Sequence, residues 1–249
     1  MSESHELNAS ELGTLDYWDK IYDREIHNFK DHGDVGEVWF GKRNARKVVR
    51  CISEQLDLST ADKIIDIGCG NGWTLVELAE RGFTDLTGVD YSQKAVDLAT
   101  EVLHNSKIDM TNVKLMTCDI LAIEKSAVGI DFKLAHDKGT YDAISLSPED
   151  PKGQRAKYIK NVCSILLPEG YLVVSSCNWT KDELIEHFKS DFEVVRTLHT
   201  PAFSFGGKVG ESLSGVVFRK KKITTRYEIF CLCIFNVFQC FLRFIWCTR

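Results

Sequence analysis

The run Ile64-Ile65-Asp66-Ile67-Gly68-Cys69-Gly70-Asn71-Gly72 most constrains the fold, because an apolar strand here meets a loop in which every second residue is glycine. Apolar residues at 64, 65 and 67 suit a strand buried on both faces, as in the middle of a parallel sheet. Glycines at 68, 70 and 72 let the backbone turn tightly and approach a ligand with no Cβ in the way. From Trp73 onward the pattern is helical, so the unit reads strand, glycine loop, helix. A dinucleotide-binding loop spaces its glycines G-x-G-x-x-G. Here position 73 is Trp and the last glycine comes one residue early, which argues against NAD. Asp66 falls at the carboxyl end of the strand, where open parallel sheets bind ligands.

Two more carboxylates close apolar runs in the same way. Residues 85–90 read as a short strand ending in Asp90, about twenty residues past the loop, the spacing at which an acid accepts the ribose hydroxyls of an adenosine. Val113 to Cys118 reads as a third strand, and Asp119 after it is placed to accept an adenine amino group. A glycine-rich turn by itself is as often only a turn. Asp66, Asp90 and Asp119 in series make it a cofactor loop, and the ammonium and sulfonium of S-adenosylmethionine match such a set of acids.

At 249 residues the chain can bury the core of one α/β domain. Hydrophobic content of 44% and charged content of 27% exclude collagen-like and disordered classes. Cys51, Cys69, Cys118, Cys163 and Cys177 are scattered singly among apolar segments, the usage of a reduced compartment, and their spacing offers no zinc site, so no metal is expected. The first thirteen residues carry neither a secretory signal nor an Arg-rich transit pattern. Residues 220–249 carry a net +5, which leaves −10 on residues 1–219. An acidic body disfavours nucleic acid and suits a basic partner.

Elsewhere strand and helix alternate. Residues 14–30 begin at Thr14, a helix cap, and place Leu15, Trp18 and Tyr22 on one face, the pattern of a lid helix. Trp39, in the glycine-broken stretch 33–41, either closes over the cofactor, or lines a channel for a cationic side chain, or staples the N-terminal segment to the body. Residues 44–58 form a helix. The helix after the loop stops at Gly82, and Ser92 caps the next. Phe132 to Ile144 begins as a fourth strand with Asp137 at its carboxyl end, across the topological switch from the glycine loop. Asp137-Lys138-Gly139 is also a good turn sequence, and His136 reads as a strand residue rather than a base. Asp150-Pro151 starts a helix running through Leu166. Leu167-Pro168-Glu169-Gly170 then turns into a fifth strand at 171–175. Thr180 and Glu183 form a capping box, leaving Asn178 and Trp179 at the mouth of the sheet. Residues 191–199 and 212–219 read as an antiparallel edge pair, joined by a loop holding Phe203 and Phe205. Right-handed crossovers between such units give an α/β fold, a doubly wound, mostly parallel seven-strand sheet.

With these segments in place the chain resembles the seven-strand S-adenosylmethionine-dependent methyltransferases. More narrowly it resembles the eukaryotic lysine methyltransferases of translation elongation factor 1-alpha. Asp66 to Gly72 is the superfamily loop. The narrower likeness rests on three segments: Trp18-Asp19 through Gly36-Glu37-Val38-Trp39-Phe40-Gly41, Asp137-Lys138-Gly139-Thr140-Tyr141-Asp142-Ala143-Ile144, and Ser176-Cys177-Asn178-Trp179-Thr180 with Phe203-Ser204-Phe205-Gly206-Gly207. The resemblance covers residues 14–219. It implies a cofactor shell of Asp66, Gly68, Cys69, Gly70, Asp90, Tyr91 and Asp119. It further implies a catalytic Asp137 and a lysine-binding surface of Trp39, Tyr141, Asn178 and Trp179. The expected protein is a cytoplasmic monomer, with the nucleus left open, acting on elongation factor 1-alpha. A methyltransferase of another protein or of a small amine or hydroxyl would keep the same cofactor residues, and a non-catalytic cofactor-binding adaptor is the third reading.

The resemblance divides the chain into a flexible N-terminus (1–13), the methyltransferase domain (14–219, with a lid at 14–58) and a tail (220–249). The tail departs from the family pattern. Its apolar run reaches the about twenty residues of a spanning helix only by including Asn236, Gln239 and Arg243, so a membrane anchor is the lesser reading and an alternative, poorly packing C-terminus the greater.

Overall fold

The computed structural model of the chain describes residues 6–198, 202–205, 208–211 and 213–222. Five strands run parallel, β1 (Ile64–Ile67), β2 (Leu86–Asp90), β3 (Val113–Thr117), β4 (Phe132–Lys138) and β5 (Leu166–Ser176). With β6 (Phe192–Leu198) and β9 (Ser214–Lys220) they form a seven-stranded sheet of order β3-β2-β1-β4-β5-β9-β6. The order reverses between β1 and β4, which opens a crevice at their carboxyl ends.

Period-two alternation sends the strand residues to two cores. Ile64, Leu134, Val173 and Val217 pack on one face against α2 (Lys42–Gln55), α3 (Trp73–Ala79) and α4 (Gln93–Asn105). Ile65, Ile67, Ala135, Leu172 and Val216 pack on the other against α6 (Thr140–Ser145), α7 (Pro151–Ile165) and α8 (Lys181–Phe188). A four-residue helix, α5 (Lys125–Val128), lies on the connection from β3 to β4. The expected caps form: Ser92 Oγ accepts from the Ala95 N–H, Asp150 from Gly153, and Thr180 and Glu183 make the reciprocal box.

The lid helix α1 (Leu15–His32) starts at Thr14, whose hydroxyl accepts from the Tyr17 N–H, and stops at Gly33 in the left-handed conformation. It is stitched to α4: Ser92 Oγ donates to Asp19 at 2.5 Å and Lys94 Nζ to Asp23 at 2.7 Å. Residues 6–13 make contacts with the body of the domain. Ser10 N donates to the Leu146 carbonyl at 3.0 Å, and Arg155 holds both Glu6 oxygens at 2.7 and 2.8 Å.

Two local expectations change. Leu166 pairs with Phe132 and Tyr171 with Leu134, so residues 167–170 bulge within one continuous β5 instead of separating helix from strand. The last two strands form the expected antiparallel edge pair, with β9 lying between β5 and β6. Where a loop was expected, β7 (Ala202–Phe205) and β8 (Lys208–Glu211) pair as a hairpin. The apolar run at 223–249 lies outside the described residues. Among the described residues no helix is long and apolar enough to cross a membrane.

Candidate active site

The glycine loop turns at the end of β1 with φ of +67° at Gly68, +54° at Gly70 and +72° at Gly72. It is pinned from three sides. Gly68 and Cys69 both donate to the Val89 carbonyl, at 2.7 and 3.0 Å, and Thr140 Oγ1 donates to the Ile67 carbonyl at 2.8 Å. A Cβ on Gly68 would stand 1.9 Å from that threonine oxygen, so α6 closes the back of the loop only because position 68 has no side chain. From the next strand, Asp90 accepts the N–H of Gly70 through one oxygen and that of Ser92 through the other, each at 3.0 Å. Burial pushes its carboxyl up to about 6, against the pull of those two bonds.

Above the loop lies a cavity of about 320 Å³. Gly68, Cys69, Gly70, Asp90, Tyr91 and Asp119 line its floor and one side, and Lys138, Gly139, Thr140 and Asp142 the side at β4. Trp18, Tyr22, Trp39 and Phe40 line it from the N-terminal segment. Its volume falls in the range of small-molecule sites. The walls fit an adenosine-bearing ligand: a backbone cradle without Cβ atoms, a buried carboxylate at the end of β2 and a second carboxylate after β3. Asp119 also holds the following turn by accepting the Leu121 N–H at 2.8 Å.

The loop is tied to the lid as well. Asn71 donates from Nδ2 to the carbonyls of Val35 and Glu37, at 2.9 and 3.2 Å. Beyond that tie Trp39 packs edge-on against Trp18, ring centres 5.0 Å apart, and lines the cavity at the same time. Trp39 therefore packs within the N-terminal segment and faces the cavity at once. Phe40 adopts φ +67°, a strained conformation for a bulky residue. Its ring would lie 3.3 Å from a Cβ at Gly139, so lid and β4 meet where a side chain is missing.

Of the residues singled out in the sequence, the structure brings Gly68, Cys69, Gly70, Asp90, Tyr91, Asp119, Trp39 and Asn178 to this cavity. It does not bring Asp66, Asp137, Tyr141 or Trp179 there. Asp66 is buried beneath the loop and paired with His136 Nδ1 at 2.7 Å. Asp137 is fully buried on the opposite face of β4. It accepts from the Thr140 N–H at 3.0 Å, from the Tyr141 N–H at 3.0 Å, and from the Tyr158 hydroxyl at 2.5 Å. Burial, opposed by these bonds, pushes its carboxyl up to about 7. Its placement is that of a clamp between β4, α6 and α7, not of a group that reaches the cavity. Tyr141 is fully buried with its hydroxyl 3.0 Å from His187 Nδ1. Trp179 donates to Ser145 Oγ at 2.9 Å beneath the Arg155 guanidinium.

Asp142 and Lys138 are among the cavity residues that the sequence reading missed. Asp142 lines the wall while accepting from Ser176 Oγ at 2.5 Å and from the Cys177 N–H at 2.8 Å, and burial raises its carboxyl above the ordinary range. Lys138, the last residue of β4, takes the face opposite Asp137 and lines the cavity. Strand alternation from Leu134 was the available signal for Lys138, and the stretch Asp137 to Asp142 the one for Asp142.

A family model described as a methyltransferase domain matches residues 58–229. The chain is 41% identical over 214 residues to EEF1A lysine methyltransferase 2 of Homo sapiens, covering 85% of this chain and 87% of that protein. It is 43% identical over 219 residues to the Danio rerio protein of the same name, covering 88% and 92%. Against protein-lysine N-methyltransferase EFM4 of Saccharomyces cerevisiae it is 33% identical over 231 residues, covering 89% and 100%. Among solved structures, magnesium protoporphyrin IX methyltransferase (ChlM) from Synechocystis PCC 6803 with bound SAM superposes with a TM-score of 0.59 at 18% identity, covering 86% of this chain and 99% of that one. The [4+2]-cyclase SpnF superposes with a TM-score of 0.61 at 14% identity, covering 87% and 99%. Such likenesses carry the fold and leave the reaction to the site.

Proposed function

The chain belongs to the EEF1A lysine methyltransferase family, and from that premise we propose that it methylates the side-chain amine of a lysine in translation elongation factor 1-alpha. The observation that carries this reading is a single cavity with two chemistries. Asp90, Asp119 and the glycine loop lie toward β2 and β3, and Asp142 with Asn178 lies toward β4 and β5, roofed by Trp39 and Phe40. When bound, S-adenosylmethionine supplies a methyl group already activated by its sulfonium.

The rest falls to the chain. Asp90 would take the ribose hydroxyls of that cofactor and Asp119 its adenine amino group, with Gly68 and Gly70 leaving room for the backbone to approach it. A lysine is protonated at neutral pH, with an ordinary value of about 10.4, and must shed its proton to present a lone pair. The aromatic roof of Trp39 and Phe40 attracts the ammonium by its ring faces and then strips its water, which disfavours the charge. Asp142 and Asn178 orient the amine, and Asp142, raised by burial, is the acceptor within the cavity for an amine proton. With nucleophile and methyl carbon held near contact, positioning supplies much of the rate. Asp137 acts through others: it fixes the turn from β4 into α6, and with it Lys138 and Asp142. Cys51, Cys69, Cys118, Cys163 and Cys177 are free thiols, which suits a reducing compartment, and we place the reaction in the cytoplasm.

The full chain incubated with methyl-labelled S-adenosylmethionine and purified elongation factor 1-alpha tests this directly. Methyl located on a lysine by mass spectrometry, and lost in Gly68→Val, is the expected result. Cofactor binding without transfer to that protein would move the substrate assignment to other proteins or small amines.

A further inference from the structure

Lys138 is the one Lys, Arg or His among the residues that line the cavity, which otherwise carries the acids Glu37, Asp90, Asp119 and Asp142. Among the described residues no hydrogen bond or ion pair reaches its ammonium. The acids around it are engaged elsewhere. Asp66 is paired with His136 at 2.7 Å, Asp90 with the N–H groups of Gly70 and Ser92, and Asp137 with Thr140, Tyr141 and Tyr158. They act on Lys138 through space only, and they offset part of the burial that draws its pKa below the ordinary lysine value. Lys138 is partly buried, and its three donors meet no protein acceptor among the described residues, beside the glycine loop, at the β4 side of a site whose β2 side suits adenosine.

We propose that Lys138 is the carboxylate clasp of the methyl donor, its ammonium receiving the α-carboxylate of the methionine portion while Asp90 and Asp119 hold the adenosine. The assignment rests on the cofactor reading above. It accounts for a lone cation in an acidic cavity: the ligand brings two positive charges, which the acids match, and one negative charge, which Lys138 matches. The length of a lysine side chain lets the ammonium follow the ligand without a fixed fork geometry.

Calorimetric titration of the full chain with S-adenosylmethionine and with decarboxylated S-adenosylmethionine separates the possibilities. The second ligand keeps the adenosine, sulfonium and ammonium and lacks only the carboxylate. Wild type is expected to bind the complete ligand about 10- to 100-fold more tightly, the range of a charge-assisted hydrogen bond. Lys138→Met should lose that preference while binding the decarboxylated ligand about as wild type does, and Lys138→Arg should keep most of it. Equal loss of both ligands in Lys138→Met, or an unchanged preference, overturns the clasp. Wild type that does not discriminate overturns it without any variant. If wild type binds neither ligand, the cofactor reading itself fails.

Discussion

One Asp90 oxygen holds the Gly70 N–H at 3.0 Å, so the acid that lines the β2 side of the cavity also shapes the loop beneath it. Ligand contact and loop geometry are coupled through one carboxylate. Asp90→Asn is therefore expected to weaken S-adenosylhomocysteine binding by about 10- to 100-fold, the worth of hydrogen bonds to a charged acceptor. Because burial raises this carboxyl to about 6, the ionised acceptor becomes populated as pH rises through that value. Wild-type affinity should increase from pH 5 to pH 7 and level off, and the Asn variant should show a shallower profile by titration calorimetry.

Asp137 is expected to report as a stability residue. Asp137→Ala leaves the N–H groups of Thr140 and Tyr141 and the Tyr158 hydroxyl without their acceptor, at a cost of about 3 kcal/mol. Turnover and cofactor affinity should fall together, in step with a lowered urea midpoint. Loss of turnover at unchanged midpoint and affinity would return Asp137 to the reacting atoms.

The same carboxyl gives a pH signature. Its value rises from 3.8 to about 7 on folding, so the native state holds the proton more firmly than the unfolded chain. Its stabilising contribution is complete below about pH 4 and is lost as pH rises through about 7. Urea midpoints of wild type should decline across that window, and those of Asp137→Asn, which cannot ionise, should decline less. Asp90 contributes the remainder up to about pH 6.

Asp142 is expected to separate binding from chemistry. Asp142→Asn keeps the size of the side chain beside Ser176 and Cys177 and removes the charge facing the cavity. Initial rates on elongation factor 1-alpha should drop about 100-fold, the order of a lost proton acceptor. Affinity for S-adenosylhomocysteine should stay within about threefold, since the proposed adenosine contacts of Asp90 and Asp119 lie elsewhere.

Two glycines with nearly the same backbone angle should respond very differently to alanine. Gly33 has φ +72° with nothing within 4 Å of an added Cβ, so Gly33→Ala pays only for the left-handed conformation, about 1 kcal/mol. Gly68 has φ +67° and Thr140 Oγ1 at 1.9 Å, so Gly68→Ala should cost about 3 kcal/mol and abolish cofactor binding. Thermal unfolding with and without S-adenosylhomocysteine distinguishes the two.

The order of β1 to β5 and the cofactor loop were legible in the sequence because alternating strands and helices with right-handed crossovers leave few topologies. Asp90 and Asp119 end strands or follow them directly, and the crevice collects such positions whatever the side-chain details. The catalytic side was less legible, because it turned on which face a strand-end residue takes. Asp137 and Lys138 are neighbours in β4, so one side chain had to go behind the sheet and the other toward the cavity. A shift of one residue in the pairing of Ile67 with Asp137 would have exchanged them. Asp66 reaches His136 because the two are partners across β1 and β4, a relation visible only once the register is known. Tyr141 and Ser145 sit one helical turn apart on the side of α6 that meets Trp179 and α8, which takes the Tyr141 ring into the core and leaves Asp142 at the wall. The bulge at residues 167–170 carries turn-forming residues, and only the pairing of Leu166 with Phe132 joins its two sides into one strand.

The two hydrogen bonds from Asn71 to the lid carbonyls of Val35 and Glu37 join the cofactor loop to the lid. The side chain that begins inside the cofactor loop ends on the segment that carries Trp39 and Phe40 over the cavity, so one residue fastens floor to ceiling. Neither can shift without breaking those two bonds or carrying the other along.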